Sequence, residues 1–148
     1  LTAAVGAFGF GFVQDRYGSV PSLGGAILIW VAAIGMTYFA TQPAHVWLAG
    51  NLVGLAMGST QAGGRALIGR LTPRGRSAEF FGLWGLASRA ASILGPLTYG
   101  IVSRLSNGDH RIALLSTLVF FVVGFIVLMG VNETRGIAAG NVAPVCTQ

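Results

Sequence analysis

Long apolar runs broken by short polar stretches set the rhythm of this chain. A helix needs about 20 apolar residues to cross a bilayer core. Four segments reach that length: 22–40, 46–68, 79–103 and 112–131. A fifth run, residues 1–13, is uncharged but reaches only about 20 Å as a helix, short of the roughly 30 Å core. It reads as the surviving end of a truncated helix. Polar connections fill the intervals at 14–20, 41–45, 69–78 and 104–111, and Pro21 with Ser22 marks a helix start. From Asn132 onward the composition is mixed, and an unstructured tail is expected. The pattern predicts an all-α, polytopic membrane helix bundle with five transmembrane helices, the first truncated.

The five helices differ around their circumference. Residues 22–40 and 112–131 are apolar on most sides and suit contact with lipid. On the third helix, Asn51, Gly54, Gly58, Gln61 and Arg65 share a stripe at 3.6 residues per turn. Gly50, Gly54 and Gly58 also make two small-xxx-small steps, which permit close approach of a neighbouring backbone. On the fourth, Gly82, Gly85, Arg89, Ser92 and Pro96 share a face, with Leu83, Leu94, Leu97 and Ile101 elsewhere. Two helices with small and polar faces imply a shared interior, tightly packed or wet.

Composition supports the membrane reading. Hydrophobic residues are 53% of the chain and charged residues 9%, against about 25% charged in a soluble domain. Such a chain has too few charges to cover a water-facing surface. The net charge of +5 comes from arginine alone, as there is no lysine. No basic patch with interleaved aromatics is present, so nucleic acid is not an expected partner. Arg16, Arg70, Arg74, Arg76 and Arg135 fall on one side of the five-helix topology with Arg65 close by, and Arg104 and Arg111 on the other. The positive-inside rule places the first group, and the C-terminus, in the cytoplasm. Integral, multi-pass insertion in a bacterial plasma membrane is the expected location, with membrane lipids as partners.

Catalytic chemistry lacks its parts. There is no HExxH, no histidine cluster, and no converging Ser/His/acid set; no enzyme activity, metal or cofactor is expected. Cys146 stands alone near the C-terminus, so no intrachain disulfide forms. Asp15, Glu79, Asp109 and Glu133 all fall at loops or helix ends, so no carboxylate serves a proton relay inside a helix. His45 and His110 lie in outer turns. Arg89 is the most informative residue: it lies ten residues past Glu79, roughly 15 Å along the helix. Arginine at such depth costs about 2.5–3.5 kcal/mol on insertion scales, so water, a carboxylate or an anionic ligand should face it. A structural ion pair and a ligand role both remain open. Arg65, one turn from a basic loop, either snorkels to lipid phosphates or joins the pathway. Asn51 and Gln61 are either interhelical hydrogen-bonding groups or solute ligands.

Gly11-Phe12-Val13-Gln14-Asp15-Arg16-Tyr17-Gly18 resembles the cytoplasmic loop motif of the major facilitator superfamily, with Ser19 and Val20 where the motif has two basic residues. Residues 61–73, 75–85 and 92–97 are similar to the vacuolar-effluxer-like branch of that superfamily, with a basic residue at the Arg89 position. Asn132-Glu133-Thr134-Arg135-Gly136 is similar to the ending after its last helix. The resemblance implies that residues 1–136 are helices eight to twelve of a twelve-helix transporter, followed by a short cytoplasmic tail, 137–148. It further implies an absent N-terminal half as partner, alternating access, and a small-molecule solute. A small polar solute, an amino acid among the candidates, is the expected cargo. Asn51, Gln61, Arg65, Arg89 and Ser92 are the candidate pathway residues, and Gly11, Asp15, Arg16 and Gly18 the candidate gating loop. A transport-inactive receptor or scaffold, or a drug or sugar carrier, is the alternative.

Overall fold

The structure, a computed structural model, describes residues 1–73 and 75–142. Arg74, Cys146 and the last part of the expected tail lie outside these residues. The described residues form six α-helices: α1 Thr2–Tyr17, α2 Ser19–Tyr38, α3 Pro43–Leu71, α4 Ser77–Leu105, α5 His110–Met129 and α6 Glu133–Val142. The fold is all-helical, as the pattern predicts, but its connections are tighter. The loop expected at 14–20 shrinks to Gly18, whose φ of +93° reverses the chain in one residue while its N–H bonds the Gln14 carbonyl at 2.9 Å. Gly11 lies within α1 and takes no part in the turn. Pro21 is tolerated in the first turn of α2, where backbone N–H groups have no partner within the helix. Pro43 opens α3 for the same reason.

The region after Asn132 corrects the expectation of an unstructured tail. Asn132 accepts from the Thr134 hydroxyl at 2.6 Å and the Arg135 N–H at 3.1 Å, a side-chain cap that starts α6. Gly136 then lies so close to Leu71 that an added methyl would meet the Leu71 side chain, so α6 is seated on the end of α3. The helix also runs across the boundary expected at residue 137.

Helix α3 is the hub, with α1 and α2 along it, while α5 joins α2 to α4. Buried positions are mostly alanine and serine: Ala26, Ala33, Ala49, Ala56, Ala113, Ser19, Ser22 and Ser59. A methyl on Gly58 would lie 3.0 Å from the Ala3 Cα, and one on Gly6 at 3.0 Å from the Leu55 Cα. Gly54 meets Thr2 in the same way. The Ser59 hydroxyl bonds its own helix at Leu55 (2.7 Å) and lies 3.3 Å from the Gly6 carbonyl. Trp30 of α2 stacks on Phe121 of α5 with ring centroids 5.0 Å apart. Helix α4 has no buried residue.

Among the described residues, two helices, α2 and α5, are long and apolar enough to cross a membrane, with mean hydropathies of 1.8 and 2.8. Helices α3 and α4 have 29 residues each, about 43 Å of helix, but their glycines and polar positions dilute the apolar signal. Helix α1, with 16 residues, is short.

Gly58→Val should lower stability by about 1–3 kcal/mol, the usual cost of overpacking. Gly50, with open space around it, should accept alanine within about 0.5 kcal/mol. Thermal unfolding of the purified variants in detergent checks both, and equal effects at the two positions would remove the α1–α3 seam.

Candidate functional site

One end of the bundle gathers Asp15 and Gly18 at the α1–α2 turn, Arg70 at the end of α3 and Glu133 at the start of α6. Ending α1 and starting α2 at a single glycine leaves the first N–H groups of α2 without helical partners. Glu133 Oε2 accepts from the Ser19 N–H at 3.0 Å and the Val20 N–H at 3.3 Å. The carboxylate thus caps α2 from the start of α6, where the helix dipole favours negative charge. A methyl on Gly18 would stand 3.4 Å from that oxygen, an ordinary contact, so the positive φ and not the space calls for glycine. Behind it, the buried Gln14 amide donates to the Ser19 hydroxyl at 2.9 Å.

Arg70, at the end of α3, reaches Glu133 and Asp15, each at 3.4 Å. The Asp15 side chain is 79% exposed, and Glu133 only 15%. The Asp15 pair therefore contributes little by itself, about 0–1 kcal/mol, and Glu133 is the better-held partner. Burial alone would raise its pKa, but hydrogen bonds from Ser19, Val20 and Arg70 outweigh that and hold the carboxyl below its ordinary value. Of the expected gating residues, Asp15 and Gly18 join this cluster. Arg16 is exposed with no ion-pair partner among the described residues. The carboxylate at the start of α2 is Glu133, and Asp15 joins the cluster through Arg70.

The pathway candidates are more dispersed. Of the α3 stripe, Gly54 and Gly58 are covered by α1, while Asn51, Gln61 and Arg65 remain exposed. The Asn51 amide donates to its own helix at the Trp47 carbonyl, 2.8 Å away. The Arg65 guanidinium lies 5.4 Å from the centre of the Trp84 ring, a cation–π contact that ties α3 to α4. Trp84 packs beside Gly64 at ordinary van der Waals distance, 3.7 Å from the position of an added methyl to the indole nitrogen. Arg89 is exposed, with no ion-pair partner among the described residues. Ser92 donates its hydroxyl to the Arg89 carbonyl at 2.7 Å. Gly82 and Gly85, on the same face, have nothing within 4 Å of an added methyl.

At the opposite end, the Tyr99 hydroxyl lies 3.1 Å from His110 Nδ1, and Arg111 lies 5.8 Å from the Tyr38 ring centre. These contacts fasten α5 to α4 and to α2.

The family described as vacuole effluxer Atg22-like matches residues 1–141. The chain belongs to this family, a branch of the major facilitator superfamily. Among curated relatives of this Atg22-like chain is the uncharacterized MFS-type transporter YxiO of Bacillus subtilis. It is 29% identical over 124 residues, which cover 84% of the chain and 29% of the relative. Autophagy-related protein 22 of Kluyveromyces lactis is 32% identical, with 74% and 24% covered. Its namesake in Candida glabrata is 29% identical, with 92% and 27% covered. The chain spans less than a third of the length of these relatives. No solved structure matches it. It is a membrane protein by family and by its two apolar helices.

Glu133 and the Tyr99–His110 contact were not singled out by pattern, and Arg65, a pathway candidate, was not expected to pair with Trp84. The clue to Glu133 was its place in the Asn132–Gly136 motif of this Atg22-like ending.

The Glu133 shift sets a pH dependence. Its pKa lies below the unfolded 4.5, so its contribution is present above that pH and is lost as pH falls through the folded value. Glu133→Gln should therefore be less stable than the parent near neutrality, and the two should converge on acidification below about 4.5. Thermal midpoints measured across pH check this; a constant gap at every pH would remove the charge from the account.

Proposed function

We propose that α1 to α5 all cross the membrane as helices eight to twelve of a twelve-helix secondary transporter. The transporter moves a small polar solute, an amino acid being the foremost candidate, by alternating access. Family membership over residues 1–141 supports this reading. The observation that carries it is α4, a 29-residue helix with no buried residue that bears Arg89 on a glycine- and serine-rich face. An arginine at mid-helix in a membrane demands a polar counterpart, and the four acidic residues of the chain lie at other depths. Solute, water or the proposed N-terminal half supplies it. The guanidinium would hold a solute carboxylate through paired hydrogen bonds.

In this reading the arginine-rich end faces the cytoplasm of a bacterial cell. Asp15, Arg70 and Glu133 form a latch there that tightens or loosens as the two halves rock. Ser19 and Val20, which replace the motif's basic pair, count less toward a transport-inactive receptor than their identity implies. Ser19 is fully buried and both residues dock on Glu133, so a long basic side chain has no room at position 19.

Arg89→Ala in the complete natural protein should cut transport of carboxylate-bearing solutes by about 10- to 150-fold. That range corresponds to losing one charged hydrogen-bond set of about 1.5–3 kcal/mol. Membrane insertion should be unaffected, and Arg89→Lys should keep part of the activity. Solute flux into vesicles checks this; normal transport by Arg89→Ala rejects the binding role. For the latch, Asp15→Asn should change the transport rate with little change in expression, and unchanged kinetics would discard it.

A further inference from the structure

Helix α4 carries a proline near its centre. Ala91 is the midpoint of Ser77–Leu105, and Pro96 follows it with the helix continuing on both sides. Proline has no N–H, so the carbonyl four residues before it loses its helical donor. In α4 that carbonyl belongs to Ser92. The adjacent N–H groups, of Gly95 and Leu97, belong in a helical ladder to the carbonyls of Ala91 and Ile93. No side chain among the described residues replaces the lost donor: the Ser92 and Thr98 hydroxyls bond the Arg89 and Leu94 carbonyls, at 2.7 and 2.8 Å. Because Ser92 spends its one hydroxyl proton on Arg89, both of its oxygens face a ligand as acceptors.

A helical carbonyl points along the axis toward the residue four further on, so this one opens on the face that Arg89, Ser92 and Pro96 share. It stands three residues beyond Arg89, about 4.5 Å of rise. Gly85, on the same face, has nothing within 4 Å of an added methyl, which lets a small molecule approach the backbone. One strip of helix thus presents a fixed cation and, less than a turn away, a pair of acceptors. A carboxylate answers the first. A group with several N–H donors answers the second, and an ammonium, with three donors and a positive charge, does so most strongly. We infer that Pro96 determines specificity: by freeing the Ser92 carbonyl it makes an acceptor for the ammonium of a solute whose carboxylate Arg89 holds. The inference rests on the transporter reading above and deepens it, because Arg89 alone would accept any carboxylate.

The test is a preference ratio, which a purely structural proline would not move. The complete natural protein, purified in detergent, is titrated calorimetrically with alanine, leucine and phenylalanine. It is titrated again with propanoate, 4-methylpentanoate and 3-phenylpropanoate, the same molecules without the amine. The parent should bind at least one amino acid about tenfold more tightly than its amine-free analogue, a difference of about 1.4 kcal/mol. Pro96→Ala and Pro96→Gly each return an N–H to the Ser92 carbonyl. In both, the amino acid should fall about tenfold, to the level of its analogue, while the analogue binds as before. Glycine leaves the backbone free to bend, so agreement between the two variants separates the carbonyl from the bend. Equal weakening of acid and amino acid, or a preference lost with alanine and kept with glycine, makes Pro96 a bend alone and overturns the inference. An unchanged preference in both variants, or a parent without one, overturns it too and leaves Arg89 as a carboxylate site. A parent that binds none of the six ligands strikes the carboxylate reading of Arg89 itself, and this inference with it.

Discussion

Helices that meet in an apolar medium gain little from hiding their side chains, because lipid is as apolar as leucine. What holds them is dispersion between closely fitted surfaces, and closeness requires small residues. The bundle depends on that constraint at the α1–α3 seam, where Gly6, Gly54 and Gly58 bring two backbones together over Thr2, Ala3 and Leu55. The buried set is dominated by alanine and serine, while Phe8, Phe12, Leu86 and Val127 are exposed. That is the reverse of a water-soluble core. The large side chains coat the outside and the small ones set the spacing.

Once α1 lies so close to α3, its end must turn sharply to let α2 return along the same hub. Gly18 makes the reversal, and the cost is a pair of backbone donors at the start of α2 that need an acceptor. Glu133 supplies it from a position 114 residues downstream of Ser19. Its hold on Arg70, and through Arg70 on Asp15, makes the end of α3, the α1–α2 turn and the start of α6 one charged unit. A local backbone requirement and a long-range ion cluster are therefore the same feature.

Hydrophobic run length was enough to find five of the six helices and the glycine contacts of α3, because both follow from local spacing. The reversal at Gly18 was missed because a charged stretch ending in Gly18 and Ser19 looks like a loop until a distant carboxylate satisfies the backbone. Helix α6 was missed because its composition is mixed; it forms on the Asn132 cap and on the Leu71 contact, neither of which periodicity records. The α3 stripe was correct as geometry, but it divides by partner. Its glycines serve packing against α1, and only Asn51, Gln61 and Arg65 stay open. Asp15 was legible from its loop motif, whereas the carboxylate that caps α2 depends on where α6 returns.

Helix α4 is tied unevenly. Toward its N-terminal end it touches α3 through Trp84 over Gly64 and Arg65, and Phe81 beside Gly69; toward its far end, Tyr99 holds it to α5 at His110. An aromatic plate over a guanidinium meets its partner face to face, and neither group interlocks with the other. Interdigitated side chains would lock the pair more firmly. Helix α4 is thus held at both ends by flat ring contacts and at neither by a buried side chain, so its seat on the hub rests on Trp84 over Arg65 and on Tyr99 beside His110.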